Sequence, residues 1–155
     1  MADTYANSVV YMSSDHAGFD LKVEIAEYLR SQGKQVVDLG CHNKERVDYP
    51  DFVQPVADKV LEETVGPKNV GIVVCGSGIG ISIAANKIKG IRCALCHDHY
   101  TSVMTRKHND ANVLALGGRT TGIEIAKDIV DVFLTTAFEG NQHAVRVAKI
   151  HQLEV

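Results

Sequence analysis

Residues 70–74, Val-Gly-Ile-Val-Val, carry no polar side chain and run directly into Cys75-Gly76-Ser77-Gly78-Ile79-Gly80. A strand that is apolar at every position has to be covered on both faces, which is the signature of a parallel sheet between helices. The rest of the chain repeats that alternation. Ser8–Ser13 and Gln35–Leu39 read as the first two strands, separated by Leu21, Ile25 and Leu29 at helical spacing, with Gly33 as the stop. Phe52, Val53, Val56, Ala57, Val60 and Leu61 form a helical stripe with Pro50 near its start. After Val70–Val74 come a short helix near Ile81–Lys87, a fourth strand at Ile91–Cys96 and a fifth at Asn112–Leu116. Ile125, Ile129, Val132 and Phe133 mark a long helix, and His143–His151 the last. The expected fold is α/β: a Rossmann-like three-layer sandwich, with a five-stranded parallel sheet carrying helices on both faces.

In such sheets ligands sit beyond the carboxyl ends of the strands. The loops to search are therefore Ser14–Ala17, the Tyr49 region, Cys75–Gly80, His97–Asn112 and Gly117–Thr121. The chain of 155 residues, 45% of them hydrophobic, suffices for one domain spanning 1–155 without a disulfide or metal staple. A net charge of −3 argues against nucleic acid or an anionic membrane as partner. No apolar stretch approaches the ~20 residues that span a bilayer. The polar start, Met1-Ala-Asp-Thr, does not read as a signal peptide, so Cys41, Cys75, Cys93 and Cys96 are expected to be reduced thiols in the cytoplasm.

In the glycine loop, successive backbone N–H groups can turn toward an anion. A thiol at the strand end could take a proton from carbon while those groups hold the enediolate oxygen. The plain alternative is a tight strand-to-helix turn with a buried cysteine. A dinucleotide-binding module is a rival reading, with Asp98 as ribose-binding acid, although the spacing is G-x-G-x-G rather than G-x-G-x-x-G. Asp15 and His16 follow the first strand and could handle hydroxyl protons and a phosphate; equally, Asp15 could cap the first helix. Cys93-Ala-Leu-Cys96-His97 fits a haem-attachment pattern, but residues three apart on a strand face opposite sides. His97 and His99 alone make a weak metal pair. His108-Asn109-Asp110 reads as a polar loop, Arg119 as a fair phosphate position after Gly117-Gly118, and Arg146 as a helix-surface charge.

Six segments taken in order resemble one family: SSDHAGFDLK (Ser13–Lys22), VDYPDF (Val47–Phe52), CGSGIGISIAANK (Cys75–Lys87), IRCALCHDHY (Ile91–Tyr100), RKHNDANVLALGGRTTG (Arg106–Gly122) and HAVRV (His143–Val147). The chain is similar to type B ribose-5-phosphate isomerases, a group that includes allose- and galactose-6-phosphate isomerases. That resemblance implies a parallel sheet of order 2-1-3-5-4 and an aldose–ketose isomerase working without metal or cofactor. Cys75 would be the base between C1 and C2. Ser77 and the N–H groups of Gly76, Gly78, Ile79 and Gly80 would bind the enediolate. His108 would open the furanose ring and Asp15 would handle the hydroxyl proton. Tyr49 would line the sugar pocket and Asn109 would bind its oxygens, while His16, Arg119 and Arg146 hold the phosphate. It further implies a homodimer or dimer of dimers with shared sites: one subunit supplies Asp15, His16 and Cys75, its partner the His108 region and the C-terminal helix. Many members carry arginine just before the histidine matching His143, whereas this chain has Gln142, which puts phosphate affinity and the choice between ribose 5-phosphate and allose 6-phosphate in question.

Overall fold

The structure is a computed structural model describing residues 4–155. Five strands form one all-parallel sheet: β1 (Val10–Ser14), β2 (Val36–Asp38), β3 (Val70–Cys75), β4 (Cys93–Leu95) and β5 (Val113–Gly117), in the order β2-β1-β3-β5-β4. Helices α1 (Phe19–Ser31), α2 (Gln54–Leu61), α3 (Ile79–Ala85), α4 (His99–Asn109), α5 (Ile123–Thr135) and α6 (Gln142–His151) complete the chain. All six residues of β3 are buried, as its uninterrupted apolar run requires. One sheet face packs Met12, Ile72, Val74, Leu114 and Leu116 against Ile25 and Leu29 of α1 and Ile129 and Phe133 of α5. The other packs Val73, Cys75, Val113 and Ala115 against Val56 and Val60 of α2 and Ile81 of α3.

Several boundaries differ from expectation for identifiable reasons. The stripe from Phe52 is interrupted: a 3₁₀ turn at Tyr49–Phe52 precedes α2, because Pro55 has no N–H with which to continue one helix through both. α3 starts at Ile79, where the Ser77 hydroxyl accepts the Ile79 N–H at 3.2 Å. β4 is short because the Arg92 amide donates to the Asn112 side chain, 2.8 Å, rather than joining the ladder.

The largest correction is at His97–Asn112, which is not a loop. Its centre is α4, and His108 and Asn109 form the last turn of that helix. Asp98, the rival reading's ribose-binding acid, caps α4 by accepting the Thr101 N–H at 2.7 Å. Hydrogen bonds from Thr101 hold its carboxyl below the usual carboxylate range. Cys93 and Cys96 lie in the two cores on opposite sheet faces, so no single group can join their sulfurs. Among the described residues no helix is long and apolar enough to cross a membrane.

Candidate active site

The chain leaves β1 toward β2 on one side and β3 toward β5 and β4 on the other, so the order reverses between β1 and β3. The crevice beyond their carboxyl ends is the place where doubly wound sheets bind ligands. Asp15 and His16 follow β1 there, and Cys75 ends β3 beside Gly117 of β5. The three loops touch. Gly118 N–H donates to the Cys75 carbonyl at 2.8 Å and Arg119 N–H to the Gly76 carbonyl at 2.9 Å. A Cβ placed on Gly76 would stand 3.5 Å from Ala17 and 3.6 Å from the Arg119 side chain.

The Cys75 thiol is buried, and its sulfur accepts the Gly78 N–H at 3.2 Å. Gly78 makes that turn at φ +78°, in the left-handed region that a side chain rarely adopts. Two of the loop's amides are thereby committed, Gly78 to sulfur and Ile79 to the Ser77 hydroxyl. That narrows the expectation that the whole run faces a substrate oxygen. Ser77 only accepts in its bond to Ile79, so its own O–H proton is still available to donate. Tyr49 opens the 3₁₀ turn and lies against Gly80, close enough that a Cβ there would stand 2.6 Å from the phenol oxygen.

Asp15 is buried, and it does not cap α1 as the alternative reading expected: the N-cap is Gly18, which has no side-chain cap. Asp15 Oδ1 accepts the Gly18 N–H at 3.0 Å, steering the chain into α1, and Oδ2 has no hydrogen bond among the described residues. His16 Nδ1 accepts the Val47 N–H at 3.3 Å, so the ring donates through Nε2, which can serve an anion. Arg119 is exposed, and its guanidinium has no carboxylate partner among the described residues.

His108, Asn109, Gln142 and Arg146 are elsewhere. α4 starts after the carboxyl end of β4 and runs back across the sheet. Its last turn is held at the amino ends of β4 and β5, where the Arg92 guanidinium donates to the Asn109 carbonyl at 3.1 Å and the Asp110 carbonyl at 2.7 Å. Gln142 and Arg146 lie one turn apart on the exposed side of α6, which packs on α4. Within one chain the His108 group and the Cys75 group therefore occupy opposite ends of the strands. The structure adds residues that the sequence reading did not single out. Glu139 sits beside His143, whose ring stacks on His108 with centroids 4.1 Å apart. Arg106, a buried residue of α4, donates to Asp110 at 2.9 Å. The Arg106–Asp110 pair was readable as an i, i+4 spacing; the histidine stack was not.

The ribose/galactose isomerase family profile matches residues 10–150. The chain is similar to a solved ribose-5-phosphate isomerase B of Clostridium thermocellum: 50% identity, 94% of this chain and 96% of that one, TM-score 0.89. It is 46% identical to ribose-5-phosphate isomerase B of Escherichia coli over 90% of this chain and 92% of that protein. It is also 40% identical to a galactose-6-phosphate isomerase subunit of Clostridium acetobutylicum, over 91% of this chain and 80% of the subunit.

Proposed function

Since this chain belongs to the ribose/galactose isomerase family and is a sugar-phosphate isomerase, we propose that it interconverts ribose 5-phosphate and ribulose 5-phosphate. The observation that carries this reading is the Cys75 sulfur, presented at the switch point on the Gly78 amide with Ser77, Asp15 and Tyr49 on the surrounding loops.

His108 moves the proton that opens the furanose. The Cys75 thiolate removes the C2 proton of the open aldose and returns it to C1, so the proton count closes. Between those steps the enediolate carries negative charge, which the Ser77 hydroxyl and the uncommitted loop amides of Ser77 and Gly80 stabilise as donors. Asp15 carries the proton between the two oxygens through its unpaired Oδ2. Tyr49 walls the sugar, Asn109 binds its hydroxyls, and the phosphate lies between His16, Arg119 and Arg146. Because His108 and Cys75 stand at opposite ends of one chain's strands, the working unit is a homodimer or dimer of dimers in which one subunit's α4 and α6 reach the other's loops. Four free thiols support a reducing compartment, the cytoplasm.

A hexose phosphate such as allose 6-phosphate is the second reading, and Gln142 at the phosphate end favours it. Coupled assays of the purified protein with both sugar phosphates decide between them. The same assay with Cys75→Ser tests the mechanism. A serine hydroxyl ionises far less readily than a thiol, so turnover is expected to fall at least ~100-fold in a normally folded protein. Near-normal turnover would remove Cys75 as the base.

A further inference from the structure

The stacked histidines have a feature that ring opening does not use. His108 on the last turn of α4, Glu139 on the segment before α6 and His143 on the first turn of α6 bring one ligand atom each within 4.8 Å of the others. His143 is almost fully buried, its side chain 8% exposed. Its Nε2 faces Glu139 Oε2 at 3.7 Å, too long for a hydrogen bond, and has the Gln142 amide nitrogen at 3.5 Å. The amide nitrogen can only donate, so in this contact the Nε2 lone pair is its acceptor, and an ion bound at Nε2 would take the place of that amide and draw Glu139 Oε2 inward. No hydrogen bond reaches either His108 nitrogen among the described residues. Two imidazoles and a carboxylate form a ligand set that suits zinc-like ions, with water completing four-coordination. At metal–ligand bonds of about 2.0–2.2 Å the donors of a tetrahedral site stand ~3.4 Å apart. Because the two rings are stacked within 11° of parallel, their in-plane lone pairs converge on one ion only when half-buried His108 turns out of the stack and exposed Glu139 swings in. The C-terminal dipole of α4 favours a cation there, and the Lys107 ammonium, 3.6 Å from Glu139, is the positive charge an ion would displace.

We propose that His108, Glu139 and His143 form an inhibitory site for a borderline transition-metal ion of the zinc class. The ion binds the His108 lone pair and so withdraws the group that opens the sugar ring. The inhibition rests on the ring-opening role of His108; the binding does not. The test has two arms. In the first, cobalt(II) is titrated into Cys75→Ala protein, which removes the active-site thiol as a competitor, and visible absorption is read without substrate. A saturable tetrahedral spectrum is expected, weakened at least about tenfold in affinity when Glu139→Gln is added. In the second arm, zinc is titrated against turnover of otherwise native protein. Inhibition reversed by EDTA is expected, with Glu139→Gln keeping basal turnover and needing at least about tenfold more zinc. No cobalt spectrum, or equal affinity with and without Glu139, would overturn the site. Binding that passes the first arm while turnover ignores zinc would retain the site but overturn the inhibition, and with it the use of His108 in turnover. Equal inhibition of both proteins would place the inhibitory zinc on the thiols instead.

Discussion

If the Cys75 loop and the His108 turn act on one sugar, two inactive proteins should repair each other. α4 begins at His99, and at 1.5 Å per residue it carries the chain about 13 Å back from the carboxyl edge before His108 is reached. That separation exceeds a pentose phosphate, so the two groups can meet only across a subunit boundary. In a two-fold dimer each site then pairs one subunit's Cys75 with the other's His108. Consider Cys75→Ala and His108→Ala, each expected to lose at least ~100-fold in turnover. A mixed dimer has one doubly damaged site and one intact site. Random exchange of equal amounts makes half of the dimers mixed, so activity should return to about one quarter of wild type. Two different affinity tags and tandem purification yield pure hybrids, for which the expectation is about one half. The assay is the coupled isomerase reaction before and after exchange, with hybrid content counted by native mass spectrometry. Verified hybrids that remain inactive, or a fully active monomer of the parent protein, would refute the shared site.

Three further outcomes are expected. Gly80→Ala puts a methyl group 2.6 Å from the Tyr49 phenol oxygen, and a half-exposed ring can swing away, so the melting temperature should hold while KM for the sugar rises several-fold; unchanged KM would remove Tyr49 from the pocket. Gln142→Arg restores a charged phosphate contact of about 1.5–3 kcal/mol, so KM should fall by roughly tenfold or more with kcat within a few-fold, and an unchanged KM would show that position 142 does not face the phosphate. Burial pushes the Cys96 thiol up to about 11 and raises Cys93 as well, so at pH 8 only about one Cys96 in a thousand is thiolate; peptide mapping after brief alkylation of native protein should find both unmodified, with Cys96 labelling rising as pH approaches 11, and rapid labelling at pH 8 would contradict the burial.

What the sequence disclosed depended on how each segment is held. β3 was legible because burial on both faces leaves an unbroken apolar run, and α1 and α5 because each buries one apolar stripe. α4 was misread as a loop because it is held by polar groups. Its buried residues are Ser102, Thr105 and Arg106; the Ser102 hydroxyl donates to the Ile129 carbonyl at 2.7 Å, and the Arg106 guanidinium lies 4.4 Å from the Tyr5 ring centroid. A hydrophobic period cannot register such a helix; the Asp98–Thr101 cap and the Arg106–Asp110 spacing were the signals that could. The Cys75 edge was legible because the loops carrying Asp15, Cys75 and Arg119 each directly follow a strand, so knowing the strands located those residues. The His108 group depends on where a polar helix ends and on a stack between helices distant in sequence, and no local pattern encodes that.

A site shared between two subunits, as proposed, would also set substrate length at one end. The isomerisation needs only the two carbons that exchange a proton and their oxygens, and everything proposed to touch them hangs from β1 and β3, whose relative position the five-residue ladder Val10↔Val70 to Ser14↔Val74 fixes. The proposed phosphate contacts are divided: His16 and Arg119 on the same rigid edge, Arg146 and Gln142 on a helix of the other subunit. Lengthening the sugar by one carbon therefore need not disturb Cys75 or Ser77. It asks α6 to present a different set of donors, or the subunits to pack a little further apart. A helix surface tolerates such change far better than a buried strand end, because Gln142 and Arg146 are exposed in the chain and bear little of the core. Relatives named for a pentose phosphate and for a hexose phosphate can then share one chemical edge and differ at the far end, which is where this chain carries glutamine.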